Sequence, residues 1–86
     1  MNLVKVRHKL HMMPETAFRE FKTQAYIKEL LTDLAIEYEE VAGTGILARW
    51  EGGDVPYILF RGDMDALPMS EETGCEVSSR NEGVMH

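Results

Sequence analysis

The 86-residue sequence predicts an α/β fold, two helices followed by three strands, and three observations carry that expectation. Apolar residues recur at three- and four-residue spacing up to about residue 34, then alternate with polar ones. All seven glycines lie after residue 42. Charge divides along the chain in the same way. Residues 1–31 hold six basic and three acidic side chains, whereas residues 32–86 hold three basic and twelve acidic ones.

The first helix is expected over residues 2–12. Asn2 stands at an N-cap position, and Leu3, Val6 and Leu10 describe one face. Pro14 ends it, because the residue before a proline is driven out of the helical region. Thr16 is the expected cap of the next helix, placed over 17–34. Its core-facing stripe is Phe18, Phe21, Ile27, Leu30, Leu31 and Leu34.

From Ile36 the period is two, which predicts an edge strand through Val41, a turn at Gly43-Thr44-Gly45, and a second strand with Ile46, Ala48 and Trp50 on one face. Gly52-Gly53-Asp54 is a hairpin signal before a third strand at 57–60, with Pro56 at its start. Tyr57, Ile58, Leu59 and Phe60 are apolar on both faces, so this strand asks for cover on both sides. Past Arg61 the chain reads as loop.

Composition narrows the function. A net charge of −6 lacks the basic stripe that neutralises phosphates, which speaks against nucleic-acid binding. No apolar run approaches the ~20 residues of a membrane span, and no apolar signal block opens the sequence. The single cysteine, Cys75, excludes an internal disulfide framework and fits a cytoplasmic protein. So short a chain buries only ~60–65% of its unfolded surface, which makes a deep active site within it unusual.

Several residues invite chemistry. His8 and His11 share a helix face with Glu15 a turn later, but a catalytic zinc needs three ligands and the His-Glu-x-x-His spacing is absent. Arg61-Gly62-Asp63 spells an adhesion tripeptide, a match too short to carry function. Asp63 and Asp65 leave an apolar segment on one face of an extended stretch. They read either as carboxylates beside a metal or as a turn bonded to its own backbone. Glu71-Glu72-Thr73-Gly74 reads as a solvated acidic turn, and Cys75, without a basic neighbour, as an inert thiol.

Together these blocks form a recognisable pattern. Arg7-His8-Lys9-Leu10-His11-Met12-Met13-Pro14-Glu15 resembles the Arg-x-x-Leu-His-x-x-Pro-Glu signature of the aminoacylase/carboxypeptidase family of metal-dependent amidohydrolases. Hippurate hydrolases, auxin-conjugate hydrolases and N-acetyldiaminopimelate deacetylases form its most similar branch. Val41-Ala42-Gly43-Thr44-Gly45, Arg61-Gly62-Asp63-Met64-Asp65-Ala66-Leu67-Pro68, Glu71-Glu72-Thr73-Gly74 and Gly83-Val84-Met85-His86 resemble further family blocks, in order.

The resemblance implies that residues 1–86 are an N-terminal part of a zinc-peptidase-type catalytic domain, without the lid domain. It implies an enzyme with two divalent ions, zinc or manganese, in which a metal-bound water attacks the amide of an N-acyl amino acid or small peptide. In the family the first ligands follow the Met-His pair, so this chain is expected to hold no metal and to be inactive alone. Asp65 matches an aspartate that orients a metal-ligating histidine. Asp63 stands where related peptidases carry a ligand histidine, and His86 just precedes the ligand block. Two other readings follow from the residues. One is a non-enzymatic relative that self-associates, as a homo-oligomer, through its uncovered sheet. The other is a small metal module of His8, His11 and Asp65.

Overall fold

A computed structural model describes residues 2–50 and 58–86. Helix α1 spans Leu3–Met12, α2 spans Phe21–Asp33, and strands β1 (Glu37–Val41) and β2 (Gly45–Arg49) form an antiparallel hairpin. No described helix is long and apolar enough to cross a membrane.

Asn2 caps α1 as expected, its Oδ1 accepting from the amides of Val4 (3.0 Å) and Lys5 (3.3 Å). Lys9 occupies the last turn, where positive charge suits the helix dipole. The helix stops two residues before Pro14.

Helix α2 starts at Phe21 rather than at 17, and Thr16 does not cap it. Phe18 adopts φ 61°, a left-handed conformation that no helix accommodates, and its ring is 77% exposed. Thr16 instead makes a parallel bridge with Ala66. The cap comes from Glu15: Oε1 accepts from the Thr23 amide (2.7 Å) and hydroxyl (2.8 Å), and Oε2 from the Lys22 amide (3.2 Å). A carboxylate there meets both the unpaired amides and the positive end of the helix dipole. The C-terminus closes through left-handed Ala35, with Ala35 N bonded to Thr32 O and Ile36 N to Leu31 O.

The expected apolar stripe of α2 is only partly used. Ile27, Leu30 and Leu31 are half-buried, while Phe18, Phe21 and Leu34 face solvent. Thr23 and Gln24 are the buried positions of this helix. Gln24 Nε2 donates to the carbonyls of Gly43 (3.2 Å) and Gly45 (3.1 Å), and Thr44 Oγ1 donates to Glu20 (3.1 Å). Polar bonds therefore fasten the hairpin turn to the helix. Lys28 and Glu40 add an ion pair between α2 and β1.

The hairpin turns one residue earlier than expected, over residues 42–44, and Gly45 already belongs to β2. Gly45 is required by space, since a Cβ there would lie 2.8 Å from the Val41 carbonyl oxygen. Trp50 falls just past β2 and is exposed. The Gly52-Gly53-Asp54 signal, Pro56 and Tyr57 lie outside the described residues. Residues 58–60 form no strand, so the third strand is not formed among the described residues. A segment apolar on both faces needs a layer on each side, and the described elements supply neither.

The rest of the chain is loop tied to residues 12–16. Ala66 N donates to Glu15 O (2.7 Å), Arg80 N to Met12 O (2.9 Å) and Asn81 Nδ2 to Pro14 O (2.7 Å). Leu67 and Met85 pair through two backbone bonds. Pro14, Glu20, Thr23, Gln24, Thr44 and Ala66 are buried, a mostly polar interior. The Cα radius of gyration is 14.6 Å, against about 12 Å for a close-packed chain of this length.

Glu15→Ala is expected to lower the unfolding free energy by about 1–3 kcal/mol, with lost helicity at the start of α2. Denaturant titration followed by circular dichroism measures it, and unchanged stability would show that the Glu15 cap contributes nothing.

Candidate functional site

Segment 61–68 carries both aspartates and forms no strand, only isolated bridges at Ala66 and Leu67. It is anchored at Ala66 by the Glu15 carbonyl and at Leu67 by Met85. The Leu67–Met85 pairing brings the end of the chain alongside, so that His86 Nε2 lies 3.1 Å from Met64 O, to which it donates as the Nε2–H tautomer. Residues more than twenty positions apart thus meet through backbone pairing.

Beside them opens a cleft of about 490 Å³ between α1, α2 and this segment. Leu3, Val6, Leu10 and Ile27 supply apolar walls, and Arg7, His11, Asp63 and His86 supply polar groups. Asp63 and His86 therefore share one cleft. Asp65 is exposed and does not line it, so the two aspartates do not share one face as the expected alternation had them: Asp63 and its neighbour Met64 border the cleft instead. Asp63 Oδ1 lies 3.0 Å from Arg61 Nη2, so the outer residues of the Arg-Gly-Asp triplet engage each other.

Glu71 differs from the solvated turn expected of it. Its side chain is 5% exposed and meets His11 Nε2 at 3.0 Å. It accepts from the Thr73 hydroxyl and from the Ser79 amide (2.6 Å). These donors, Thr73 first, then Ser79 and His11, hold its carboxyl far below the usual range, at about 2, against a smaller opposing effect of desolvation. Cys75 is exposed, and the hydroxyls of Thr73 (3.3 Å) and Ser78 (3.5 Å) pull its thiol below its ordinary value. The signal for it in the sequence is a pair of nearby hydroxyls rather than a basic neighbour.

Neither small metal module assembles. His11 is turned to Glu71 and Glu15 to the start of α2. Among the described residues no group of three or more His, Cys, Asp or Glu side chains is arranged to hold a metal ion. These residues do not by themselves fit a one-metal or two-metal centre.

Because the folded-state pKa of Glu71 is depressed, its contribution to stability is complete above the unfolded value of about 4.5 and is lost as pH falls toward 2. Glu71→Gln is expected to remove that part of the acid sensitivity between those pH values and to loosen segment 71–79 at neutral pH. Stability measured against pH for both chains tests it; parallel curves would contradict the assignment.

No protein-family model matches the chain. An uncharacterized hydrolase of Staphylococcus epidermidis is 42% identical over 80 residues, covering 93% of this chain and 21% of that protein. An N-acetyldiaminopimelate deacetylase of Bacillus cytotoxicus is 44% identical over 86 residues, covering 96% of this chain and 23% of that protein. The chain thus spans between a fifth and a quarter of the curated relatives it matches. Among solved structures, the Bacillus subtilis YXEP protein, a dinuclear metal-binding peptidase of the M20 family, superposes with a TM-score of 0.91 at 38% identity, over 98% of this chain and 24% of that one. A putative aminohydrolase from methicillin-resistant Staphylococcus aureus gives 0.88 at 38% identity, over 98% and 23%. In sequence and in fold, this chain resembles one portion of the M20 metal-dependent hydrolases, the group to which its motifs point.

Proposed function

We propose that these residues are the N-terminal part of the catalytic domain of a cytoplasmic, metal-dependent amidohydrolase acting on N-acyl amino acids or small peptides. The carrying observation is the 0.91 superposition, at 38% identity, on a dinuclear metal-binding peptidase over nearly the whole chain. A relative named for deacetylating an N-acetyl amino acid supports the substrate class.

In this reading the chain supports a centre of two ions, zinc or manganese, whose ligands it does not supply. Bound there, the ions would polarise the amide and activate water. With the ions bound, the exposed carboxylate of Asp65 would accept the second ring N–H of a metal-ligating histidine and so set its tautomer and orientation. Asp63 and His86 border one cleft, and Asp65 stands on the same segment outside its lining. The backbone bonds from Glu15 to Ala66 and from Leu67 to Met85 hold these groups in register.

A second reading is favoured by one observation, the exposure of Ile58, Leu59 and Phe60. In it the chain is a non-enzymatic relative that self-associates through an uncovered sheet.

The 86-residue chain, supplied with zinc or manganese and N-acetyl or N-benzoyl amino acids, is expected to show no hydrolysis above the metal blank. Turnover abolished by a chelator would overturn the supporting role. A chimera carrying this chain in place of the matching quarter of the Bacillus subtilis peptidase tests Asp65 directly. Asp65→Asn there is expected to cost about 10–100-fold in metal affinity or activity, and an unchanged chimera would remove Asp65 from the site.

A further inference from the structure

The Glu71 carboxylate is buried in a loop, yet it receives donors from three places in the chain. Oε1 accepts from His11 Nε2 (3.0 Å), at the end of α1, and from the Ser79 amide (2.6 Å). Oε2 accepts from the Thr73 hydroxyl. A buried carboxylate bonded in this way fixes its donors relative to one another, because moving any of them breaks a charge-assisted bond.

Ser79 carries the constraint onward. Its amide is held by Glu71, while its Oγ donates to Val84 O (2.6 Å) and accepts from the Asn81 amide (3.2 Å). The hydroxyl thus clasps both ends of the turn 81–84, which Val84 N closes on Asn81 O (3.2 Å) and which passes through Gly83 at φ 80°. His86 lies two residues further on. The Leu67–Met85 pair is a single bridge of two backbone bonds, about which the chain could pivot. A second tether at Val84 removes that freedom. His11 and His86 line the same cleft, so one buried carboxylate ties two of its walls together.

We infer that Glu71 is a positioning residue: acting through Ser79, it sets where His86 stands against His11 and Asp63. This deepens the amidohydrolase reading above and rests on it for the relation of the cleft to the reaction. Networks in which every buried polar group is satisfied rigidify one arrangement, which suits that role.

The chain has three histidines, so ring-nitrogen NMR at neutral pH reads His8, His11 and His86 separately, each assigned by its loss on substitution. Ser79→Ala keeps the amide bond to Glu71 and removes only the hydroxyl. It is expected to shift the His86 signals toward those of an unbonded imidazole, with His8 and His11 unmoved. Ser79→Thr, which keeps a hydroxyl, is expected to restore them. Glu71→Ala is expected to shift His11 and His86 together, with His8 unmoved. Should Glu71→Ala unfold the chain, the two Ser79 variants decide alone.

His86 signals that stay in place in Ser79→Ala would overturn the proposal. So would movement of His8 in that variant, which would mark general loosening. In the chimera with the Bacillus subtilis peptidase, Ser79→Ala is expected to lower kcat on the order of 10-fold with KM held, as a misplaced group does, and Ser79→Thr to restore it. Unchanged kcat in Ser79→Ala would overturn the positioning role. An inactive parent chimera would overturn the amidohydrolase reading instead, and the ring signals of the chain itself would still decide whether Glu71 places His86.

Discussion

Glu15 is the residue through which the parts of this chain hold one another. Its carboxylate closes the start of α2, and its carbonyl receives the amide of Ala66. The carbonyls on either side do similar work, Pro14 O taking Asn81 and Met12 O taking Arg80. Pro14 suits the centre of this hub: it is fully buried, and having no amide hydrogen it leaves no donor to satisfy. Where apolar burial is scarce, a buried polar group must find its partner or cost the fold free energy. Among the described residues every buried side-chain nitrogen and oxygen has one.

The site inherits its geometry from that hub. Fixing Ala66 to Glu15 fixes the direction in which segment 61–68 leaves, and pairing Leu67 with Met85 then sets His86 beside Met64. The blocks that resemble the family, at 7–15, 61–68 and 83–86, are the strands of one knot of hydrogen bonds. His11 and Glu71 extend the knot from the end of α1 into the following loop. A change far from Asp63 or Asp65, such as one that moves the Glu15 carbonyl, therefore displaces both carboxylates together.

Much of this was legible in the letters, and the failures share a cause. Asn2, the Pro14 stop, the change of period near residue 36 and the glycine turn are local signals, and local chemistry decided them. The start of α2 was not, because the sequence offered Thr16 as a cap while tertiary contact gave Thr16 to Ala66 and the capping role to Glu15. The stripe from Phe18 to Leu34 assumed an apolar core, yet the hairpin is fastened by Gln24, Thr44 and Glu20. Glu71 looked solvated because its donors, Thr73, Ser79 and His11, converge only in three dimensions. Asp63 and His86 were singled out one by one; their common cleft needed the Leu67–Met85 pairing, which no periodicity announces.

Polar specificity and apolar burial are thus divided between different residues. The hydrogen bonds that position segment 61–68 run through backbone carbonyls and a few buried side chains, and none uses Phe18, Phe21, Trp50 or residues 58–60. Those large side chains remain in water, where each exposed apolar ångström squared carries a free-energy cost of about 25 cal/mol relative to burial. The same backbone arrangement occurs within a peptidase of which this chain spans 24%. A conformation held by directional bonds can keep its site geometry whether or not its apolar faces are covered, whereas its stability depends on what covers them. Geometry at Asp63, Asp65 and His86 and stability of the chain are therefore separable properties here, set by different groups.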